Sequence, residues 1–316
     1  MKKTIVSAMT RLCRAFILAT LALVGTSALQ AQYAPGTNFW NSTVSGINLG
    51  RVSGNWDPGT VHRNWAIFAL SGGVTITDAN NLGPADVIGN VGIGGSGRLS
   101  MSNSYINGIV YRDAGTETLT GRTSYYSGGS TGGNNLSLYV TDATNASNAA
   151  SLLNVNATGT GPTALSFGGA LSGSPASGPI SIAINNAPAS ITGVGGQTYV
   201  LNLTDLVLQG ASTILTLSGS NTTNYVFNIS RNLSLASQAK ILLSGGLTEA
   251  NVLYNVKSNA IQYDVSLSGA SELHGTILAT TRAVKETGGS VVYGEVIAKT
   301  VSLSGSSKVI NPYASP

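Results

Sequence analysis

The stretch VSLSGASELHGTILA at residues 265–279 decides the fold, because the chain repeats its layout twice more. The second copy is VKETGGSVVYGEVIA at 284–298, and the third is VSLSGSSKVI at 301–310. The copies begin at Val265, Val284 and Val301, which gives a period of about 18 residues. In each copy an alternating run is followed by a Gly-Xaa-Ser turn and then by a second apolar run.

This layout predicts short β-strands joined by turns. Successive side chains point to opposite sides of a strand, and glycine suits turns that need a positive φ. Units of this size bury their apolar side by stacking on their neighbours. We therefore predict a mainly β fold, a right-handed parallel β-solenoid with coils of about 18 residues. Leu235, Leu267 and Leu303 should share one interior column of it.

The first 31 residues read as a secretory signal peptide. Four of the 16 Lys and Arg residues lie there, and the remaining 12 balance the 12 Asp and Glu residues. A neutral mature chain gives no electrostatic reason to expect nucleic acid or an anionic membrane as a partner. The only cysteine, Cys13, also lies in this segment. We expect a secreted, extracellular or cell-surface protein without disulfides, cofactors or a membrane span after signal removal.

The mature chain divides into an irregular start and one long repetitive domain. Residues 32–64 lack alternation, and we predict that they cap the exposed end of the first coil; an aromatic binding platform is the alternative. Alternation runs through 65–310, which we assign to the solenoid, followed by a tail at 311–316. Ala143, Ala146 and Ala150 recur at helical spacing, so a flanking α-helix is expected near 141–154, capped by Thr141 or Asp142.

Several segments resemble known secreted proteins. They are YVFNI at 225–229, GGLTEANVLY at 245–254, HGTILA at 274–279 and YGEVIAK at 293–299. Together they resemble the ice-binding-like β-solenoid family and the related "choice-of-anchor A" bacterial surface proteins. The resemblance implies the fold and a flanking helix. It carries over no functional residue, because the ice-contacting face of that family follows no fixed motif.

The residues that carry chemistry are sparse. Glu272 and His274 are two apart on a strand and share a side, so an acid–histidine pair is possible there. The equivalent positions of the next copy are Val291 and Tyr293, which excludes a ladder of metal ligands. Asp264, Glu272, Glu286 and Glu295 occupy four different positions of the coil and do not stack. We therefore predict no catalytic residue, no metal site and no enzyme activity.

What remains is a repetitive surface. Outward Ser and Thr side chains on stacked coils recur at the strand spacing, and the candidate binding residues are Ser266, Ser268, Thr276, Ser302 and Ser304. The partner would be an extended surface (polysaccharide, matrix or ice) or another solenoid. Because the repeats are rich in Ser-Gly, the sequence favours a non-enzymatic structural or adhesive role at the cell surface or in the matrix. Ice binding by the same face is the alternative.

Overall fold

The computed structural model describes residues 65–77, 86–120, 125–126, 128–153, 165–171, 180–257 and 263–313. The predicted signal peptide, the 32–64 segment and the end of the predicted tail lie outside them. One α-helix, α1(Ser137–Leu152), and a 3-10 helix, Glu249–Asn251, accompany the strands in this part of the chain. The strands are β1(Trp65–Thr77), β2(Val87–Ile88), β3(Asn90–Ile93), β4(Leu99–Ser102), β5(Tyr105–Asn107), β6(Val110–Arg112), β7(Glu117–Thr120), β8(Tyr125–Tyr126), β9(Ser130–Thr131), β10(Ser166–Gly169), β11(Ile180–Asn185), β12(Pro188–Thr192), β13(Thr198–Gln209), β14(Ile214–Ser218), β15(Asn224–Ala236), β16(Lys240–Ser244), β17(Val252–Val256), β18(Val265–Ser268), β19(Glu272–Thr287), β20(Val291–Ser304) and β21(Lys308–Ile310).

The strands stack in parallel into three sheets around one interior, which confirms the predicted solenoid. Sheet 1 contains parts of β13, β15, β19, β20 and β1 together with β17, β3, β6 and β9. Sheet 2 contains the other ends of those long strands with β11, β18, β4 and β7. Sheet 3 contains β12, β14, β16, the start of β19 and of β20, β21, β2, β5 and β8. Among the described pairings only β10 with β12 is antiparallel.

The order of coils differs from the order of the chain. Strand β1 pairs with β20 on one side, where Val74 aligns with Val301, and with β3 and β4 on the other, where Val74 aligns with Leu99. The first repetitive coil is therefore inside the stack. The 32–64 segment, which we predict to cap this coil, lies outside the described residues.

The predicted interior column is confirmed, with one addition. The register aligns Leu235 with Leu267, and Glu286 lies between Leu267 and Leu303. All four side chains are buried. Neither carboxylate oxygen of Glu286 has a hydrogen-bond partner. Burial raises the pKa of Glu286 well above its usual value, because an apolar interior disfavours the charged form.

The flanking helix is present but begins earlier than expected. Helix α1 spans Ser137–Leu152, and the backbone N–H of Leu136, at its start, donates to Asp113 Oδ1 at 2.5 Å. Thr141, a predicted cap, lies inside the helix and donates instead to the carbonyl of Ser137. The alanine face is as predicted: Ala143, Ala146 and Ala150 are fully buried. They pack over sheet 1 against a cluster that includes Val226, Leu253 and Leu278.

The corners explain the glycine spacing of the repeats. Gly275 and Gly294 stack at the corner between sheets 3 and 1 with φ of 129° and 135°. A Cβ on Gly294 would lie 2.2 Å from the carbonyl oxygen of Gly275, so no larger residue fits. At the corner between sheets 2 and 3, the serines of the Gly-Xaa-Ser turns point inward. Ser307, for example, donates to the carbonyl of Ser304 at 2.8 Å.

Candidate functional site

The outer side of sheet 2 carries two straight rows of outward side chains, which we call the hydroxyl face because all but one of them are Ser or Thr. Each row follows one register position from coil to coil, so its side chains stand directly above one another. Row one contains Ser234, Ser266, Lys285, Ser302, Thr75, Ser100 and Thr118. Row two contains Ser268 and Thr287 and, from one residue beyond the aligned pair Glu286 and Leu303, Ser304, Thr77, Ser102 and Thr120. All of these side chains are half-buried or exposed.

The geometry of the hydroxyl face is set by the strands beneath it. Neighbouring parallel strands lie about 4.8 Å apart, and successive outward residues on one strand are about 6.6 Å apart. The inner sides of the same strands carry buried residues such as Val265, Leu303 and Ile76, which fix the backbone. Ser and Thr are short, and Thr is restricted at χ1. The face is therefore a rigid two-dimensional grid of hydroxyl and methyl groups.

The structure places four of the five predicted binding residues on this face. Ser266 and Ser302 belong to row one, and Ser268 and Ser304 belong to row two. Thr276, the fifth, does not lie on this face. Thr276 aligns with Leu253 and Glu295 in sheet 1 and is only 3% exposed. Alternation does send its side chain away from the interior, but the outer side of sheet 1 is itself covered.

The predicted binding residues leave out the part of the face that comes from the N-terminal half. Thr75, Thr77, Ser100 and Ser102 continue both rows without a break in register. A signal for them exists, since VTIT at 74–77 and LSMS at 99–102 have the same pattern as VSLS at 301–304. What the sequence does not reveal is that these strands lie beside the C-terminal coils.

The outer side of sheet 3 carries charged and aromatic groups instead. His274 lies 2.8 Å from Glu249 through Nδ1 and 3.0 Å from Glu272 through Nε2, and its ring stacks on Tyr293. Lys240 also pairs with Glu272, at 2.7 Å. The pair foreseen between Glu272 and His274 is therefore present. The register aligns Glu272 with Val291 and His274 with Tyr293, as the repeats predicted. The acid–histidine pair therefore does not recur in the next coil.

The charged groups of this cluster pair with one another: His274 with Glu249 and Glu272, and Lys240 with Glu272. Burial favours neutral His274, but the hydrogen bonds to Glu249 and Glu272 outweigh it and raise the pKa of the imidazole. Burial likewise opposes ionisation of Glu249, but the hydrogen bonds from His274, the backbone and Tyr313, together with the charge of His274, outweigh it and lower the pKa of that carboxyl. Among the described residues, no group of three or more His, Cys, Asp or Glu side chains is placed to hold a metal ion.

A cavity of about 380 Å³ lies on sheet 1 beside the C-terminal end of α1. Asn202, Asn228 and Asn255 line it in a ladder. The carboxamide NH₂ of Asn255 donates to the carboxamide oxygen of Asn228, and that of Asn228 donates to the carboxamide oxygen of Asn202. Asn228 also donates to the carbonyl of Ala150, and Asn255 to that of Ser147. These amides attach the helix to the sheet.

Within the described chain, no helix is long and apolar enough to cross a membrane.

Comparisons with known proteins agree with this architecture. The sequence profile of the ice-binding-like family matches residues 71–309, and the chain belongs to that family. A 98-residue stretch is 37% identical to an ice-binding protein of Flammulina populicola; it covers 31% of this chain and 37% of that protein. The chain therefore matches little more than a third of that relative's length.

A solved structure shows the same fold. The crystal structure of a glycosylated ice-binding protein from an Arctic yeast has a TM-score of 0.50 and 19% identity, over 80% of this chain and 93% of that one. The structural or adhesive role favoured by the sequence is wrong, because the family and the similar proteins point to its alternative. The Ser-Gly content of the repeats suggested adhesion, but it does not describe the hydroxyl face. Gly269, Gly288 and Gly305 lie in the corner turns, and the face itself consists mainly of Ser and Thr.

Proposed function

We propose that this protein is a secreted, non-enzymatic ice-binding protein that adsorbs to ice through the hydroxyl face. The observation that carries the proposal is the unbroken register of small outward side chains from Ser302 through Thr75 to Thr118, with a parallel second row beside it. Membership of the ice-binding-like family supports it. The predicted signal peptide supports action outside the cell.

The physical basis is ordering of water by a rigid grid. Hydroxyl groups at a fixed strand spacing hold first-layer waters by hydrogen bonds, and threonine methyl groups fill the gaps between those waters. Short side chains lose little rotamer entropy when this layer forms, whereas long ones lose up to about 2 kcal/mol each. The ordered layer can then join the surface of a crystal. Ordinary hydroxyls scattered on a mobile surface would not hold such an array.

The other two sheets are poorer candidates for the same role. Helix α1 covers sheet 1. Sheet 3 presents His274, Glu272 and Lys240, whose charges bind water more strongly than neighbouring waters bind one another. That hydration follows the charges rather than a lattice. The outer side of sheet 2 is accessible to solvent, and its rows consist of small side chains with only one charge, that of Lys285.

The test is the freezing behaviour of the mature chain, residues 32–316. Thermal hysteresis, inhibition of ice recrystallisation and uptake into a slowly growing ice hemisphere should all be positive at micromolar protein. The same preparation after heat denaturation is the control for solute effects. Freezing indistinguishable from that of the denatured control would overturn the proposal.

A further inference from the structure

Lys285 is the one residue of the hydroxyl face that lacks a hydroxyl. It occupies row one between Ser266 and Ser302. Its side chain is 57% exposed, so the position is on the surface and in the plane of the face. On one side of it the row holds Ser234 and Ser266; on the other it holds Ser302, Thr75, Ser100 and Thr118.

The charge of Lys285 is held at the edge of the face. Its ammonium lies 2.5 Å from Asp264 Oδ2, and Asp264 immediately precedes strand β18. The side chain therefore runs from row one towards the corner between sheets 1 and 2. An ammonium is a compact, strongly hydrated charge, and it orders water radially around itself. Water beside Lys285 cannot adopt the arrangement that the neighbouring hydroxyls favour.

We propose that Lys285 and its partner Asp264 interrupt row one of the hydroxyl face and limit ice adsorption to one side of the lysine. The working part is the patch from Ser302 and Ser304 to Thr118 and Thr120, which we call the main patch. Ser234, Ser266 and Ser268 beyond the lysine contribute little. This inference rests on the proposed function and names the residue that sets the extent of its site.

The first test is Lys285→Thr, which would join the two parts of row one. The uninterrupted hydroxyl run would grow from four residues to seven at constant strand spacing, so thermal hysteresis at equal concentration should rise about twofold. Lys240→Thr is the matched control. It removes an outward, ion-paired lysine of similar exposure from sheet 3 and should leave the hysteresis unchanged.

The second test compares two serines that flank Lys285. Ser302→Tyr places a bulky ring on the main patch and should remove most of the hysteresis, whereas Ser266→Tyr places the ring beyond the lysine and should remove much less of it. Circular dichroism and thermal unfolding check that each variant is folded. An active parent in which Lys285→Thr changes nothing, or in which the two tyrosine variants lose equal activity, overturns this inference alone. An inactive parent overturns the proposed function and this inference with it.

Discussion

The outer sides of sheets 2 and 3 differ in chemistry although they share one interior and one strand spacing. Sheet 2 presents rows of Ser and Thr that follow the register from Ser266 to Thr118. Sheet 3 presents a network in which His274 and Lys240 are paired with carboxylates. The parallel stack of strands therefore sets only the positions of the outward side chains. The outward residue type decides whether a row orders water as a grid or binds neighbouring side chains.

The largest expected effect is on the interior that both sheets share. Leu267→Asp should lower the free energy of unfolding by about 3–5 kcal/mol, because it removes a fully buried side chain and adds a carboxyl without a partner. Leu119→Asp is the matched control, since Leu119 lies at the end of the same interior column and is 42% exposed. Urea unfolding followed by circular dichroism measures both. Equal melting of Leu267→Asp and the parent would refute the inward assignment.

A smaller effect of opposite sign is expected beneath the hydroxyl face. Glu286→Leu should raise the free energy of unfolding by about 1–3 kcal/mol at neutral pH, because it removes a buried group without hydrogen bonds. The unfolded chain releases the Glu286 proton above about pH 4.3, while the folded chain retains it, so this gain should grow as the pH rises from there.

Glu286→Gln separates the two causes of that effect. It keeps a polar group in the column but cannot ionise, so the pH dependence should disappear while much of the penalty for an unpaired polar group remains. The measurement is urea unfolding of the three proteins at pH 4 to 8. A Glu286→Leu variant less stable than the parent throughout that range would show that the carboxyl has a partner in solution.

The smallest effect is expected on sheet 3. His274→Gln should cost about 1–2 kcal/mol, since it removes hydrogen bonds to two carboxylates. The raised pKa of His274 makes its contribution complete below about pH 6.5, the unfolded value, and it is lost as the pH rises through the folded value.

The matching carboxylates set the acid side of that window. Glu249 and Glu272 have lowered pKa values, so their contribution is present above about pH 4.3 and is lost as the pH falls through the folded values. The stability difference between the parent and His274→Gln should therefore be largest between these limits and shrink on either side. Unfolding from pH 3 to 9 measures it, with ice activity expected to be unchanged; a difference independent of pH would contradict the ion-pair account.

The sequence is sufficient for the features that depend on local pattern. Alternation places Leu267 and Leu303 inside, and repeat spacing places Gly275 above Gly294. It is insufficient where a partner distant in sequence decides the outcome. The pairing of β1 with β20, the start of α1 on Asp113 and the cover over Thr276 all depend on such partners. For that reason only the C-terminal part of the hydroxyl face could be predicted.

Blocking one sheet at a time tests the central claim most directly. Because Cys13 is the only cysteine and lies in the predicted signal peptide, Thr77→Cys and Thr216→Cys each give a chain of residues 32–316 with a single thiol, on sheet 2 and sheet 3 respectively. Each variant is assayed for ice uptake before and after reaction with a bulky maleimide. We predict that labelling abolishes uptake of the Thr77→Cys protein and leaves uptake of the Thr216→Cys protein intact. Uptake retained after labelling at residue 77, or lost only after labelling at residue 216, would contradict the assignment of ice binding to the hydroxyl face.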